Sequence, residues 1–185
     1  MHLQLFLDCL RYGKIKDLRR KTIRVMEAVV LGSTGIKVNK NGFGALPIQR
    51  VSTEDAVKLA RKAYEAGITF FDTARFYTDS EEKLGEAFDG MREKVYIATK
   101  TAAKNADEFW EQLGISLHNL RTDYIDIYQF HNPSFCPKPG DGTGLYEAML
   151  EAKAQGKIRH IGITNHRLAV AEEAIESGLY ETLQF

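Results

Sequence analysis

The sequence is poor in the residues that mark several specialised classes of protein. Only two of its 185 residues are cysteine and four are proline. Cys9 and Cys136 cannot by themselves supply a disulfide framework or a four-ligand metal site, so no metal is expected. No run approaches the roughly 18 apolar residues that a membrane helix needs. These shortages predict a cytoplasmic protein in a reducing setting, with no membrane partner.

The sequence also lacks an excess of charge of either sign. Its 25 basic and 25 acidic side chains give a formal net charge of zero, which argues against nucleic acid as the main partner. Hydrophobic residues make up 44% of the chain and charged residues 27%, as in folded globular proteins. Disorder is not expected, because low hydrophobicity and high net charge are both missing.

Charge is concentrated at the amino terminus, where residues 1–25 carry seven basic and two acidic side chains. The segment does not resemble a secretory signal, since it has no leading positive charge, is interrupted by Asp8 and lacks a small-x-small cleavage site. Patterned sequence starts only after Met26. We therefore interpret residues 1–25 as a basic extension, either natural or artefactual, and residues 26–185 as one domain.

After Met26, β-branched and aromatic runs alternate with helical patterns. The first two runs, residues 28–31 and 36–38, flank Gly-Ser-Thr-Gly and predict a hairpin. Further strands are predicted at residues 43–46, 69–72, 95–99, 124–130, 159–164 and 182–185. Helices fit nearly every gap between them, so these strands should be parallel and joined by right-handed crossovers.

Helix-capping residues support this interpretation. Ser52 precedes Asp55 by three residues, and Asn105 precedes Glu108 by three, the spacing of residues that cap a helix amino terminus. An apolar stripe follows Asn105 at helical spacing. Further helices are predicted after the glycine-rich segment 140–144 and over residues 167–177.

Two architectures contain alternating strands and helices of this kind. A doubly wound sheet would carry a glycine fingerprint after its first strand, but Gly-Phe-Gly-Ala-Leu-Pro places Pro47 where the third glycine belongs, and no helix is expected there. The sequence therefore predicts an α/β fold, a (β/α)8 TIM barrel that is incomplete, with about six of eight strands and an N-terminal β-hairpin. Open sheet edges in such a fragment predict self-association.

Four ionisable residues lie at or just after predicted strand ends: Asp72, Tyr77, Lys100 and His131. In a barrel, groups at the carboxyl ends of several strands meet at one mouth. Taken singly, each has a structural explanation, such as an aspartate that binds backbone amides or a histidine that packs. Taken together, they predict an active site.

These residue types can reduce a carbonyl group. A tyrosine has a pKa of about 10, and a nearby lysine ammonium should lower that pKa by roughly one to three units. Asp72 would pair with Lys100, and His131 would form a hydrogen bond at the oxygen that receives the proton. Tyr77 would then act as a general acid, with hydride supplied by a cofactor.

The chain resembles the aldo-keto reductase superfamily over about residues 26–185. The segments that carry the resemblance are LGSTGIKVNKNGFG, FFDTARFY with SEEKLGEAF, IATK, DYIDIYQFH, GKIRHIGITN and LQF. The resemblance implies that Asp72, Tyr77, Lys100 and His131 form the family's catalytic tetrad. It also implies a nicotinamide cofactor, usually NADPH with NADH not excluded. The cofactor contacts that it implies are Gly44, Ala45, Asp72, Thr164, Asn165 and Gln184.

Some features depart from the family pattern. Thr164 stands where serine is frequent, and Thr78 replaces a usual glycine after Tyr77. The family's adenine contacts come from its last two strands, for which this sequence has no counterpart. The alternatives to an enzyme are therefore a non-catalytic binding module, as in the related potassium-channel beta subunits, and a gene-truncation relic. An in-frame continuation past residue 185 would favour the enzyme, which would act on an aldehyde, ketone or quinone.

Overall fold

The computed structural model describes residues 27–185, so residues 1–26, including the whole basic extension and Cys9, lie outside the described residues. Eight strands and five α-helices follow one another along the described chain. In order they are β1 (Ala28–Val30), β2 (Lys37–Asn39), β3 (Phe43–Gly44), α1 (Thr53–Glu65), β4 (Phe70–Asp72), α2 (Ser80–Ala87), β5 (Tyr96–Thr101), α3 (Ala106–Asn119), β6 (Ile125–His131), α4 (Leu145–Ala154), β7 (Ile158–Thr164), α5 (Leu168–Ser177) and β8 (Thr182–Gln184).

The strands form two sheets. Strands β1 and β2 pair antiparallel, which confirms the predicted hairpin. Strands β3 to β8 form one six-stranded sheet in sequence order, with every neighbouring pair parallel. From β3 onwards a helix lies between each strand and the next. This order is that of a β/α barrel, so the predicted fold class is confirmed, with six barrel strands in the described chain.

The predicted capping residues begin two of the helices. The Ser52 hydroxyl accepts a hydrogen bond of 3.1 Å from the Asp55 amide at the start of α1. The Asn105 side chain accepts one of 2.9 Å from the Glu108 amide at the start of α3. Each cap satisfies an amide that has no partner within its own helix.

The strand predicted over residues 43–46 is shorter in the structure. Strand β3 ends at Gly44, and a 3₁₀ helix spans Leu46–Arg50, where no helix was expected. The Ala45 amide still donates to the Asp72 carbonyl, at 2.8 Å. Pro47 cannot continue this pattern because it has no amide hydrogen, and its fixed φ suits the start of a helical turn.

Two apolar clusters hold the sheet in place. The larger one lies between the sheet and its helices and includes Phe71, Phe109 and Tyr128, each fully buried. The smaller one joins Ile36 and Val38 of the hairpin to residues of β5 and β6. The hairpin also bonds to the loops that precede β4 and β8, through the Gly67 and Glu181 carbonyls. It therefore covers the amino-terminal end of the sheet and leaves the carboxyl end open.

Within residues 27–185, none of the helices combines the length and the apolar character needed to cross a bilayer.

Close packing between α2 and the end of α3 generates a stability prediction. A Cβ at Gly85 would lie 2.1 Å from the Asn119 carbonyl oxygen, which belongs to the backbone and cannot move freely. Gly85→Ala should therefore destabilise the fold by about 1–3 kcal/mol, the usual cost of overpacking. The measurement is the free energy of unfolding in urea.

Gly114 provides the matched control, since it lies inside α3 and a Cβ there would meet nothing within 4 Å. Gly114→Ala should stabilise the protein by about 0.5–1 kcal/mol, because alanine has the higher helix propensity. Equal effects of the two substitutions would contradict the packing described for Gly85.

Candidate active site

The carboxyl ends of three neighbouring strands supply three of the four predicted site residues. Asp72 is the last residue of β4, Lys100 is the penultimate residue of β5, and His131 is the last residue of β6. Tyr77 lies in the loop between β4 and α2. Because parallel strands place their carboxyl ends at one edge of the sheet, the topology brings all four residues to the same end.

Lys100 and Asp72 form a buried ion pair. The Lys100 Nζ lies 2.6 Å from Asp72 Oδ2, and the Lys100 side chain is only 2% exposed. The same ammonium donates a second hydrogen bond, of 2.7 Å, to the Thr73 carbonyl. Burial lowers the pKa of Lys100, and the Asp72 carboxylate partly opposes that shift. The predicted Asp72–Lys100 pairing is therefore present in the structure.

The second oxygen of the same carboxylate has a partner from a different strand. The Gln129 side-chain amide lies 3.4 Å from Asp72 Oδ1 and donates to it from β6. Gln129 is itself buried and is in register with Lys100 of β5. Asp72 is thus held by neighbours from β5 and β6, and its orientation is restricted from two sides.

Tyr77 packs between the ion pair and the histidine. Its ring lies edge-on to the His131 ring, with centroids 5.7 Å apart and an interplanar angle of 80°. The Lys100 Nζ lies 5.2 Å from the centre of the tyrosine ring. The four residues predicted from the sequence are therefore brought together in one cluster.

The predicted direction of the Tyr77 pKa shift was wrong. Burial raises the pKa of this phenol above its usual value, and the negative charge of Asp72 raises it further. The Lys100 ammonium, on which the prediction relied, is itself paired with the Asp72 carboxylate at 2.6 Å. Tyr77 therefore keeps its proton throughout the neutral range.

His131 is half-buried and lies close to two charged groups. Its pKa is lowered by burial and by the Lys100 ammonium, with Asp72 acting in the opposite direction. The imidazole is accordingly neutral at pH 7. A neutral imidazole has one nitrogen that donates a hydrogen bond and one that accepts.

Two of the predicted cofactor residues, Gly44 and Gln184, are exposed at the same end of the sheet, and a third, Thr164, is buried beside them. His131, Thr164 and Gln184 are in register across β6, β7 and β8, and the Gln184 side chain is exposed. Gly44 is exposed and in register with Asp72, and a Cβ at Gly44 would meet nothing within 4 Å. Polar groups and open space along this edge fit an extended ligand.

Two other predicted cofactor residues are occupied by bonds within the protein. Ala45 is fully buried, and its carbonyl accepts from the Ser80 hydroxyl at 3.0 Å. Asn165 is 1% exposed, donates to the Pro133 carbonyl at 2.8 Å and accepts from the Arg167 amide at 2.8 Å. In this structure both residues hold the loops of the mouth in place.

Two charged residues of α2 are buried and were not among the predicted site residues. The Glu81 carboxylate is completely buried, and the Lys83 side chain is 3% exposed. In sequence both residues look like parts of a solvated helix surface, since Ser-Glu-Glu-Lys contains no apolar stripe. Their position in the sequence could have indicated a role near the site, because α2 directly follows the loop that carries Tyr77.

Fold and site together define a β/α-barrel protein with its functional groups at the carboxyl ends of the strands. A sequence profile described as the "Aldo/keto reductase family" matches residues 36–183. The chain belongs to the aldo/keto reductase family. This confirms the resemblance noted in the sequence.

Curated relatives include both dehydrogenases and reductases. The chain is 34% identical over 154 residues to L-galactose dehydrogenase of Arabidopsis thaliana, covering 75% of this chain and 48% of the relative. It is 38% identical over 134 residues to methylglyoxal reductase DkgB of Salmonella typhi, covering 68% of this chain and 48% of the relative. The chain thus spans about half the length of the curated relatives that it matches.

Solved structures of the same family share the fold. The holo form of an aldo-keto reductase from Bacillus halodurans aligns with a TM-score of 0.74 at 27% identity, covering 86% of this chain and 58% of that one. An aldo-keto reductase from Klebsiella pneumoniae in complex with NADPH aligns with a TM-score of 0.70 at 28% identity, covering 80% and 52%. The homologues are therefore aldo-keto reductases, which supports carbonyl reduction as the chemistry of the family.

The lowered pKa of His131 generates a prediction about stability in acid. As the pH falls through 6.5, the unfolded chain takes up a proton on this residue before the folded protein does, which destabilises the fold. The stability contributed by neutral, buried His131 is thus present above pH 6.5 and is lost as the pH decreases. His131→Gln should reduce the loss of unfolding free energy between pH 7 and pH 5.

The matched control is His118→Gln, which removes an exposed imidazole from α3. This variant should keep the parent's pH dependence, measured by urea unfolding at both pH values. A parental slope in His131→Gln would show that His131 is not held neutral by its surroundings.

Proposed function

We propose that this protein reduces the carbonyl group of a small molecule to an alcohol, with NADPH as the reductant and Tyr77 as the proton donor. The observation that carries the proposal is the cluster of Tyr77, His131 and the Lys100–Asp72 ion pair at the carboxyl end of the sheet. Membership of a family whose named relatives include reductases supports it. When bound, the cofactor supplies hydride.

Tyr77 holds the proton that the carbonyl oxygen receives. Burial and the Asp72 charge keep the phenol protonated at neutral pH, so the acid form is present before substrate binds. As negative charge develops on the carbonyl oxygen, the adjacent Lys100 ammonium stabilises that charge and favours proton transfer from the phenol. Lys100 and Tyr77 together thereby favour the reaction at the stage when negative charge develops on the carbonyl oxygen.

His131 orients the carbonyl group. A neutral imidazole beside the phenol can donate a hydrogen bond to the same oxygen without competing as a strong acid. Asp72 and Gln129 act one step further away: Asp72 accepts from the Lys100 ammonium, and Gln129 donates to the other oxygen of Asp72. Tyr77 and His131 therefore converge on the carbonyl oxygen, Asp72 fixes the cation, and Gln129 fixes Asp72.

NADPH is the proposed cofactor because solved neighbours hold NADP or NADPH. Gly44, Thr164 and Gln184 are the residues proposed to contact it, since Gly44 and Gln184 are exposed at the carboxyl edge and Thr164 lies in register between His131 and Gln184. Asn165 and Ala45 are proposed to shape the loops beside it. Small aldehydes or ketones are the proposed substrates, because relatives include a methylglyoxal reductase.

The central test is Tyr77→Phe in the full-length protein, assayed by the loss of NADPH absorbance with methylglyoxal. Removing the hydroxyl should lower kcat by about 10²- to 10⁴-fold, the usual contribution of a general acid. The Kd for NADPH, measured by fluorescence titration, should stay within about twofold of the parent value, because Tyr77 is not among the residues proposed to contact the cofactor.

Tyr64→Phe is the control, since Tyr64 packs edge-on to Phe88 between α1 and α2 and lies outside the site. It should leave both kcat and Kd unchanged. A rate for Tyr77→Phe within a few-fold of the parent would remove Tyr77 from the role of acid. No NADPH binding by the parent would instead favour the non-enzyme interpretation.

Two further expectations from the sequence stay predictions. A cytoplasmic location is one of them. The other is self-association through β3 and β8, the two end strands of the described sheet. Light scattering over a range of concentrations tests the second: the mean mass should rise with concentration, and a constant monomer mass would contradict it.

A further inference from the structure

The first turn of α2 buries three polar side chains, which bond to several neighbouring segments. The Ser80 hydroxyl bonds to the Ala45 carbonyl and to the Thr73 hydroxyl. Lys83 donates to the Ile48 and Val51 carbonyls in the segment before α1. The third side chain, Glu81, reaches three other elements. Because buried charges are costly without partners, these contacts restrict where the segments can lie.

Glu81 is the only one of the three that carries a negative charge. Its side chain has no exposed surface, and its two oxygens accept from three donors. Thr99 on β5 donates to Oε1 at 2.7 Å, and Asn119 at the end of α3 donates to Oε2 at 3.3 Å. Arg75 donates to Oε2 at 2.7 Å from the loop that carries Tyr77. Among these donors, only Arg75 carries a positive charge.

Arg75 connects that carboxylate to the backbone around Tyr77. The Arg75 amide donates to the Lys100 carbonyl at 3.0 Å, and the Tyr77 amide donates to the Ala74 carbonyl at 3.0 Å. The Tyr77 carbonyl then accepts from the Ser80 amide at 2.8 Å. Tyr77 therefore lies in a short loop that is fixed at one end by β5 and at the other by α2, with the Arg75–Glu81 ion pair between them.

From this geometry we propose that Glu81 is a positioning residue, which fixes the Tyr77 phenol against His131 and Lys100 through its ion pair with Arg75. The proposal rests on the proposed function of Tyr77 as proton donor. Glu81 does not touch the reacting atoms. Its effect on the reaction depends on Arg75, which distinguishes it from a residue that only stabilises the fold.

The experiment compares Glu81→Gln, Arg75→Met and the double variant in the full-length protein. Glutamine preserves the shape of Glu81 and removes its charge, and Arg75→Met alters a side chain that is 23% exposed, so at least one variant should fold. Thr99→Val is the control, because it removes a different donor to Glu81 and leaves the Arg75 contact in place.

The first readout is hydrogen exchange of the amides in residues 73–80 without cofactor. Exchange of the Arg75 and Tyr77 amides should be at least about tenfold faster in both single variants and unchanged in Thr99→Val. Equal acceleration across β5 and α3, or an equal effect of Thr99→Val on the loop, would overturn the proposal.

The second readout is activity. kcat should fall by about 10- to 100-fold in both single variants, as expected for a misplaced catalytic group, with the Kd for NADPH within about twofold. The double variant should be no slower than the slower single variant, because both substitutions break one contact. Additive losses in kcat would overturn the proposal. An inactive parent would overturn the proposed function alone, since the exchange measurement still decides whether Glu81 fixes the loop.

Discussion

A buried lysine cation at the carboxyl end of β5 is the constraint on which the rest of the site depends. An ammonium that is only 2% exposed requires a counter-ion and further hydrogen-bond acceptors, because it has lost its water. Asp72 and the Thr73 carbonyl supply them from the neighbouring strand. Both acceptors come from the point where β4 ends, so the loop that follows β4 must start directly above the cation. That loop carries Tyr77, and the phenol consequently lies beside Lys100.

The same constraint explains why polar groups are buried around the site. The backbone groups of a loop held over a buried cation need partners of their own. Strand β5 supplies two of them, since the Thr73 and Arg75 amides donate to the Ala98 and Lys100 carbonyls. The first turn of α2 holds the side chains of the same two loop residues through Ser80 and Glu81. Breaking such a bond would leave a buried polar group without a partner, which costs more than the bond itself contributes. The loops therefore have few alternative arrangements.

Much of the fold and the composition of the site could be predicted from the sequence, whereas the electrostatics could not. The alternation of strands and helices, the caps at Ser52 and Asn105, and the convergence of four residues at strand ends all follow from local patterns. The direction of the Tyr77 pKa shift depends on solvation and on which charge is already paired. A sequence gives the types of neighbouring residues and does not give their distances. The burial of Glu81 could not be predicted for the same reason, because a helical segment with many charged residues predicts an exposed surface.

The register of the sheet separates two tasks within the site. Asp72, Lys100 and His131 lie on β4, β5 and β6, which are inner strands of the described sheet with neighbours on both sides. Two of the proposed cofactor contacts, Thr164 and Gln184, are in register with His131 on β7 and on β8, the end strand of that sheet. The strands that carry Asp72, Lys100 and His131 thus lie inside the described sheet, while the proposed cofactor contacts extend to its end strand. Substitutions in the cluster should accordingly act on kcat, and substitutions at Gln184 should act on the affinity for NADPH.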